Sequence, residues 1–161
     1  MRKKIYWMVK DVGGRGAASG MRYRLLRNAK DGEYGYEPYG KKYGSEFKTV
    51  LQVGDIKFVK NKMGSTTPPA ETRAGSGRIY VTLTKKNEPK HITFYGKNGQ
   101  RLKQIDLFGP AHTVNGKKVP TPHTHLGYLH LEGGTRERMT AAETKIVEKV
   151  LRIWENNKGK L

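Results

Sequence analysis

RIYVTLTKKNEPKHITFYGKNGQRLKQIDL, residues 78–107, is the stretch whose reading decides the fold. Ile79, Val81 and Leu83 alternate with Tyr80 and Thr82, the two-residue period of a strand with one buried face. Lysines, Asn87 and Pro89 then mark a turn over 85–89, and 91–95 is β-branched and aromatic, which predicts a second strand. Lys97-Asn98-Gly99 supplies a hairpin turn, because Asn and Gly tolerate the positive φ that tight hairpins need, and it leads into a third strand over 101–107. The stretch predicts a three-stranded antiparallel meander.

Toward the C-terminus, 108–122 reads as a loop, and a fourth strand is expected around 126–131. The chain then closes with a helix. Thr140 and Glu143 have capping-box spacing, and Ile146, Val147, Val150, Leu151, Ile153 and Trp154 form an apolar stripe for the sheet to cover. Toward the N-terminus, Thr66-Thr67-Pro68-Pro69 and Gly75-Ser76-Gly77 make 61–77 a linker. Strand signals at 47–53 and 56–60 flank a turn at Gly54-Asp55. Residues 12–44 are Gly-rich, with Arg15, Arg22, Arg24 and Arg27 followed by Tyr34, Tyr36, Tyr39 and Tyr43, and read as an extended arm. The expected organisation is a basic arm with a short hairpin (1–60), a linker (61–77) and a compact domain (78–157). Its fold class is α+β: a small twisted antiparallel sheet packed with a C-terminal helix and preceded by the Gly/Arg/Tyr-rich arm.

The 161 residues carry 32 Lys and Arg against 14 Asp and Glu, a formal net charge of +18. Residues 1–60 contribute +8 and 61–161 contribute +10, so the whole molecule is basic and not one tail. Such a charge predicts a polyanionic partner, with RNA favoured over other nucleic acid and no membrane partner. There is no cysteine, which excludes disulfides, thiolate zinc sites, iron–sulfur clusters and thiol nucleophiles. Arg2-Lys3-Lys4 precede only five apolar residues before Lys10, too few for a signal-peptide core, so a cytoplasmic or virion-associated location is expected.

All five histidines, His91, His112, His123, His125 and His130, fall within 91–130. Over 91–131 the sole carboxylate is Asp106, beside Lys97, Arg101, Lys103, Lys117 and Lys118. Nucleases that use two Mg²⁺ ions need several carboxylates to hold them, and this stretch supplies one. Histidine with Lys and Arg suffices for metal-independent RNA cleavage: a base takes the 2′-OH proton, an acid protonates the 5′ oxygen, and cations stabilise the phosphorane. Imidazole suits both proton roles near neutral pH, and DNA lacks the attacking hydroxyl. In Pro122-His123-Thr124-His125 the two imidazoles project to one side of an extended chain. They are therefore either an acid/base pair or two ligands of one metal completed by His112, His130 or Asp106. Regular pairing would place Arg101 and Lys103 together as phosphate clamps, opposite Leu102, Gln104 and Asp106, with Asp106 orienting a histidine. Tyr95, Tyr128, Lys97, Lys103, Lys117, Lys118 and His130 are the expected nucleic-acid contacts, the tyrosines either stacking a base or filling the core edge.

The run from Lys90 through His91-Ile92-Thr93-Phe94-Tyr95 to Ile105-Asp106-Leu107, followed by Pro122-His123-Thr124-His125-Leu126-Gly127-Tyr128-Leu129-His130, resembles a superfamily of small nuclease-like domains. This is the barnase/EndoU/colicin/RelE-like (BECR-type) group, found at the tips of polymorphic bacterial toxins and beside phage head genes. The final Met139-Thr140, Glu143 and the helix to Trp154 are similar to that group's closing helix, so the resemblance covers about 76–157. It implies a helix on a twisted antiparallel sheet and ribonuclease activity on single-stranded or structured RNA without metal or other cofactor. It also implies a catalytic set of His112, His123, His125, Arg101 and Asp106, with His130 nearby. An immunity protein is an implied partner. The alternative it carries is a non-enzymatic phage head or head–neck protein that contacts nucleic acid and has capsid or portal proteins as partners.

Overall fold

The computed structural model describes residues 17–18, 22–25, 36–39, 46–74, 76–128 and 133–161, the first three segments through their backbone pairing alone. Most of the expected arm, and His130, lie outside the described residues. In chain order the strands are β1 (Ala17–Ala18), β2 (Arg22–Leu25), β3 (Tyr36–Tyr39), β4 (Phe47–Val53), β5 (Ile56–Asn61), β6 (Glu71–Thr72), β7 (Ile79–Leu83), β8 (Pro89–Tyr95), β9 (Arg101–Asp106), β10 (His112–Val114), β11 (Lys117–Val119), β12 (His123–Leu126) and β13 (Thr135–Arg136). One α-helix, α1 (Ala141–Asn157), follows and runs into a short 3-10 turn.

Seven strands form one sheet in the order β13-β12-β9-β8-β7-β5-β4, so the chain is α+β with a mixed sheet and a C-terminal helix. The meander is present as β7, β8 and β9. Two expectations need correction. The sheet is not purely antiparallel, because β5 runs parallel to β7. Parallel neighbours need a crossover of about a dozen residues or more, and residues 62–78 provide it. The segment that reads as a linker is therefore the connection that sets the topology. For the same reason the domain does not begin at 78: β4 and β5 are integral strands, and Ile56 and Phe58 lie in its core.

Alternation along each strand gives the sheet two different faces. On one, Phe58, Val81, Leu83, Ile92 and Ile105 pack against Val147, Val150 and Trp154 of α1, and the Phe58 and Trp154 rings stack 5.1 Å apart. The helix starts where its capping box places it. The Thr140 hydroxyl accepts from the Glu143 N–H at 3.2 Å, and the Glu143 carboxylate accepts from the Thr140 N–H at 2.9 Å. Its buried stripe is narrower than the sequence periodicity, with Leu151 41% exposed.

The opposite face carries a second, smaller apolar cluster of Phe47, Val59, Tyr80 and Tyr95 and is polar over the strands beyond it. Tyr80 and Tyr95 meet edge to face at 5.4 Å and hold the crossover on this side, through Tyr80 Oη to Thr72 Oγ1 (3.1 Å) and Tyr95 Oη donating to the Pro69 carbonyl (2.7 Å). Burial pushes the Tyr95 phenol well above its ordinary pKa, so it stays the neutral donor this contact needs. Gly99 closes the same junction. Its carbonyl accepts from Thr72 N–H at 2.8 Å, its φ is +77°, and a Cβ there would stand 2.2 Å from Thr72 O. Gly99→Ala is expected to cost about 2 kcal/mol or more, seen as a lower urea midpoint with little change in slope, because backbone strain and a backbone clash act together.

Candidate functional site

Cross-strand register gathers the chemistry on the face away from the helix. His91, Asp106 and His123 pair directly across β8, β9 and β12 in one row, and Thr93, Gln104, His125 and Thr135 form the next row, reaching β13. Directly opposed side chains share a face about 5 Å apart, so two adjacent rows bring three histidines and one carboxylate together. His91 and Asp106 adjoin Ile92 and Ile105, which face the helix, and Thr124 between His123 and His125 reaches Glu143 of the helix, so the opposite layer fixes which way all four point. The strand β12 spans His123–Leu126, ahead of the expected 126–131, of which 129–131 lie outside the described residues; this puts both histidines of the Pro-His-Thr-His motif inside a strand.

His123 Nε2 and His125 Nε2 stand 3.0 Å apart, and Asp106 Oδ2 lies 3.6 Å from the first and 3.3 Å from the second. The outer nitrogens are anchored. His123 Nδ1 is 3.0 Å from the Pro120 carbonyl, which can only accept, so Nδ1 carries a proton; His125 Nδ1 is 2.9 Å from Thr135 Oγ1. The other carboxylate oxygen of Asp106 accepts from His91 Nδ1 at 2.7 Å and Gln104 Nε2 at 2.5 Å. Burial alone would raise the Asp106 pKa, but hydrogen bonds from His125, His91 and Gln104 outweigh it and hold the carboxyl well below its usual range. His123 and His125 are 1% and 3% exposed.

His112 joins from outside the sheet. It is half-buried on the β10–β11 hairpin, with its ring 4.9 Å from that of His125 and 5.9 Å from that of His123. The segment expected as a plain loop is thus a hairpin, turned by Asn115 (φ 49°) and Gly116 (φ 77°). Val-Asn-Gly-Lys at 114–117 carries the signal for it. Lys117 and Lys118 are exposed on the same hairpin, with Lys117 paired to Glu137 at 3.0 Å, and Lys97 is exposed in the β8–β9 turn.

The remaining candidates separate. Leu102 is a bulge residue, since Phe94 pairs with Lys103 and Tyr95 with Arg101, and the bulge sends Arg101 and Lys103 to opposite faces instead of one. Arg101 sits on the histidine face, donating to Gln104 Oε1 (2.9 Å) and the Tyr128 carbonyl (2.5 Å). Lys103 sits on the helix face, 2.9 Å from Glu143 and over the Phe94 ring. Tyr95 is 4% exposed at the core edge, and Tyr128 donates its hydroxyl to the buried Glu71 at 2.7 Å. His91, Gln104 and Thr135 complete the cluster although the motif reading did not single them out as site residues. Their only signal is register, which cannot be assigned before β8, β9, β12 and β13 are known to be neighbours. No known family, curated protein or solved structure matches the chain. Among the described residues no helix is long and apolar enough to cross a membrane.

Proposed function

We propose that this protein is a metal-independent ribonuclease that cleaves RNA by attack of the 2′ hydroxyl. The observation that carries the reading is the meeting of three imidazoles, His112, His123 and His125, with the carboxylate of Asp106, beside a hairpin that exposes Lys117 and Lys118. In the reaction the 2′ oxygen bonds to phosphorus and loses its proton to a base while the 5′ oxygen leaves and takes a proton from an acid, giving a 2′,3′-cyclic phosphate. His112 is the least buried of the three and is the group that meets the ribose and phosphate. His125, edge-on behind it, and His123 share the proton taken from the 2′ hydroxyl and return one through His112 to the leaving 5′ oxygen, so that none is gained or lost overall, and Asp106 holds them in place. Arg101 positions Gln104, which in turn donates to Asp106. Lys97, Lys117 and Lys118 supply phosphate contacts on the approach.

The resemblance of 76–157 to BECR-type nuclease domains supports the same reading, with the helix-backed sheet as its scaffold. The purified protein is expected to cleave single-stranded RNA in excess EDTA and leave cyclic phosphate ends, while His112→Ala and His125→Ala lose at least a hundredfold in rate, the scale of one proton-transfer role. Intact RNA after incubation with folded wild-type protein would leave the non-enzymatic, nucleic-acid-contacting alternative.

A further inference from the structure

We propose that Asp106 Oδ2, His123 Nε2 and His125 Nε2 form a binding site for a single transition-metal cation of the zinc class, and that the bound ion switches the histidine relay off. Binding rests on geometry alone; the switching rests on the ribonuclease reading above. The three atoms lie within 4.8 Å of one another, with separations of 3.0, 3.3 and 3.6 Å. Two ligands each about 2.05 Å from a tetrahedral ion stand about 3.3 Å apart, so the triangle already has the dimensions of three corners of such a site.

The chemistry of the three atoms points the same way. The Pro120 carbonyl fixes the proton of His123 on Nδ1, leaving Nε2 of the neutral ring as a lone pair. The Thr135 hydroxyl donates as readily as it accepts, so His125 holds its proton on Nε2 toward Asp106 in the empty site and moves it to Nδ1, toward Thr135 Oγ1, when a cation takes Nε2. Two imidazole nitrogens and a carboxylate oxygen then face one another inside a site only 1–3% exposed at the histidines, and a cation entering between them takes the place of the single proton that His125 shares with His123 and Asp106. Each ligand also carries the outer hydrogen bond that orients metal-bound residues: His123 to a carbonyl, His125 to a hydroxyl, and Asp106 through its second oxygen from His91 and Gln104.

Two imidazoles with one carboxylate suit zinc, cobalt or nickel, whereas Mg²⁺ and Ca²⁺ require oxygen-rich shells that this face does not provide. The ring of His112 stands beside both imidazoles, and that side is where a fourth ligand or water would complete the shell. An ion bound to the two Nε2 atoms occupies the lone pairs through which His125 and His123 would pass a proton, so it blocks the relay.

Cobalt(II) titration of the full chain, freed of metal with EDTA, tests the site. One equivalent should produce the intense visible bands of tetrahedral cobalt, and zinc should displace them. In parallel, nitrogen NMR of the wild-type histidines should show the Nε2 resonances of His123 and His125 shifting on zinc addition, with both Nδ1 atoms protonated in the zinc-bound state. That measurement needs no variant and survives if His123→Ala or His125→Ala fails to fold. Only a weak octahedral spectrum, or unshifted Nε2 resonances, would overturn the metal site. Cleavage of RNA should fall at least tenfold with one equivalent of zinc and return on chelation; cleavage unchanged with the site filled would overturn the switch. Tight cobalt binding in a protein that leaves RNA intact under all conditions would overturn the ribonuclease reading and keep the metal site.

Discussion

Truncating Trp154 to alanine is expected to lower folding stability by about 4 kcal/mol, the upper part of the range for removing a large aromatic from a packed core. Trp154 is 4% exposed, stacks on the fully buried Phe58, and shares a cluster with residues of β5, β7, β8 and β9. Trp154 thus belongs to the cluster that ties the helix to four strands, and its truncation leaves a cavity in that core. Small domains are held by roughly 5–15 kcal/mol, so the loss is a large share of the total. Urea unfolding followed by far-ultraviolet circular dichroism measures it. A midpoint within error of the wild type would mean that α1 is not seated on this face.

The second large effect is expected at Glu143, which is 1% exposed and carries more partners than any other carboxylate described on the helix face. Lys103 Nζ lies 2.9 Å from Oε1 and Arg136 Nη2 2.5 Å from it; the Thr140 N–H and the Thr124 hydroxyl reach Oε2. Glu143→Ala leaves two cations facing each other and opens the capping box, at an expected cost of about 3 kcal/mol. This is the low end for breaking a buried pair, since Lys103 and Arg136 keep 31% and 37% of their side chains exposed. Burial pushes the Glu143 pKa up, but the bonds from Lys103 and Thr140 and the charges of Lys103 and Arg136 prevail, so in the folded state it lies below the ordinary 4.5. A depressed folded pKa contributes stability that is fully present above the unfolded value and is lost as pH falls through the folded one. Stability should therefore decline below about pH 4.5, and Glu143→Gln should show a shallower decline over that range while starting from a lower plateau. Equal acid slopes in the two proteins would remove Glu143 from this role.

What could be read from residues alone divides along physical lines. The meander was legible because Ile79, Val81, Leu83 and the Asn98-Gly99 turn are local signals, and so was the helix start at Thr140 and Glu143. The parallel pairing of β5 with β7 was not, since it is made by residues far apart in the chain and 62–78 has a linker's composition. At the site, His112, His123, His125 and Asp106 were picked out by residue type and crowding, and the structure brings these four together. The pairing of Arg101 with Lys103 failed because a single bulge at Leu102 reverses the alternation, and nothing in Arg-Leu-Lys announces it. Glu143 shows the converse: its capping role is a local pattern, whereas its ion pairs depend on β9 and β13 lying under the helix.

The two unlike faces of the sheet have an evolutionary consequence. On β8 and β9 the site residues sit beside neighbours that point the other way into the apolar layer, and on β12 Thr124 between the two histidines reaches Glu143 of the helix, so the candidate chemistry and the scaffold are written in alternate letters of the same strands. Substitutions at the His and Asp positions would abolish or redirect the proposed reaction while the letters between them keep the fold. A descendant without the His and Asp cluster would keep the same sheet and helix and would still be available for a purely architectural task.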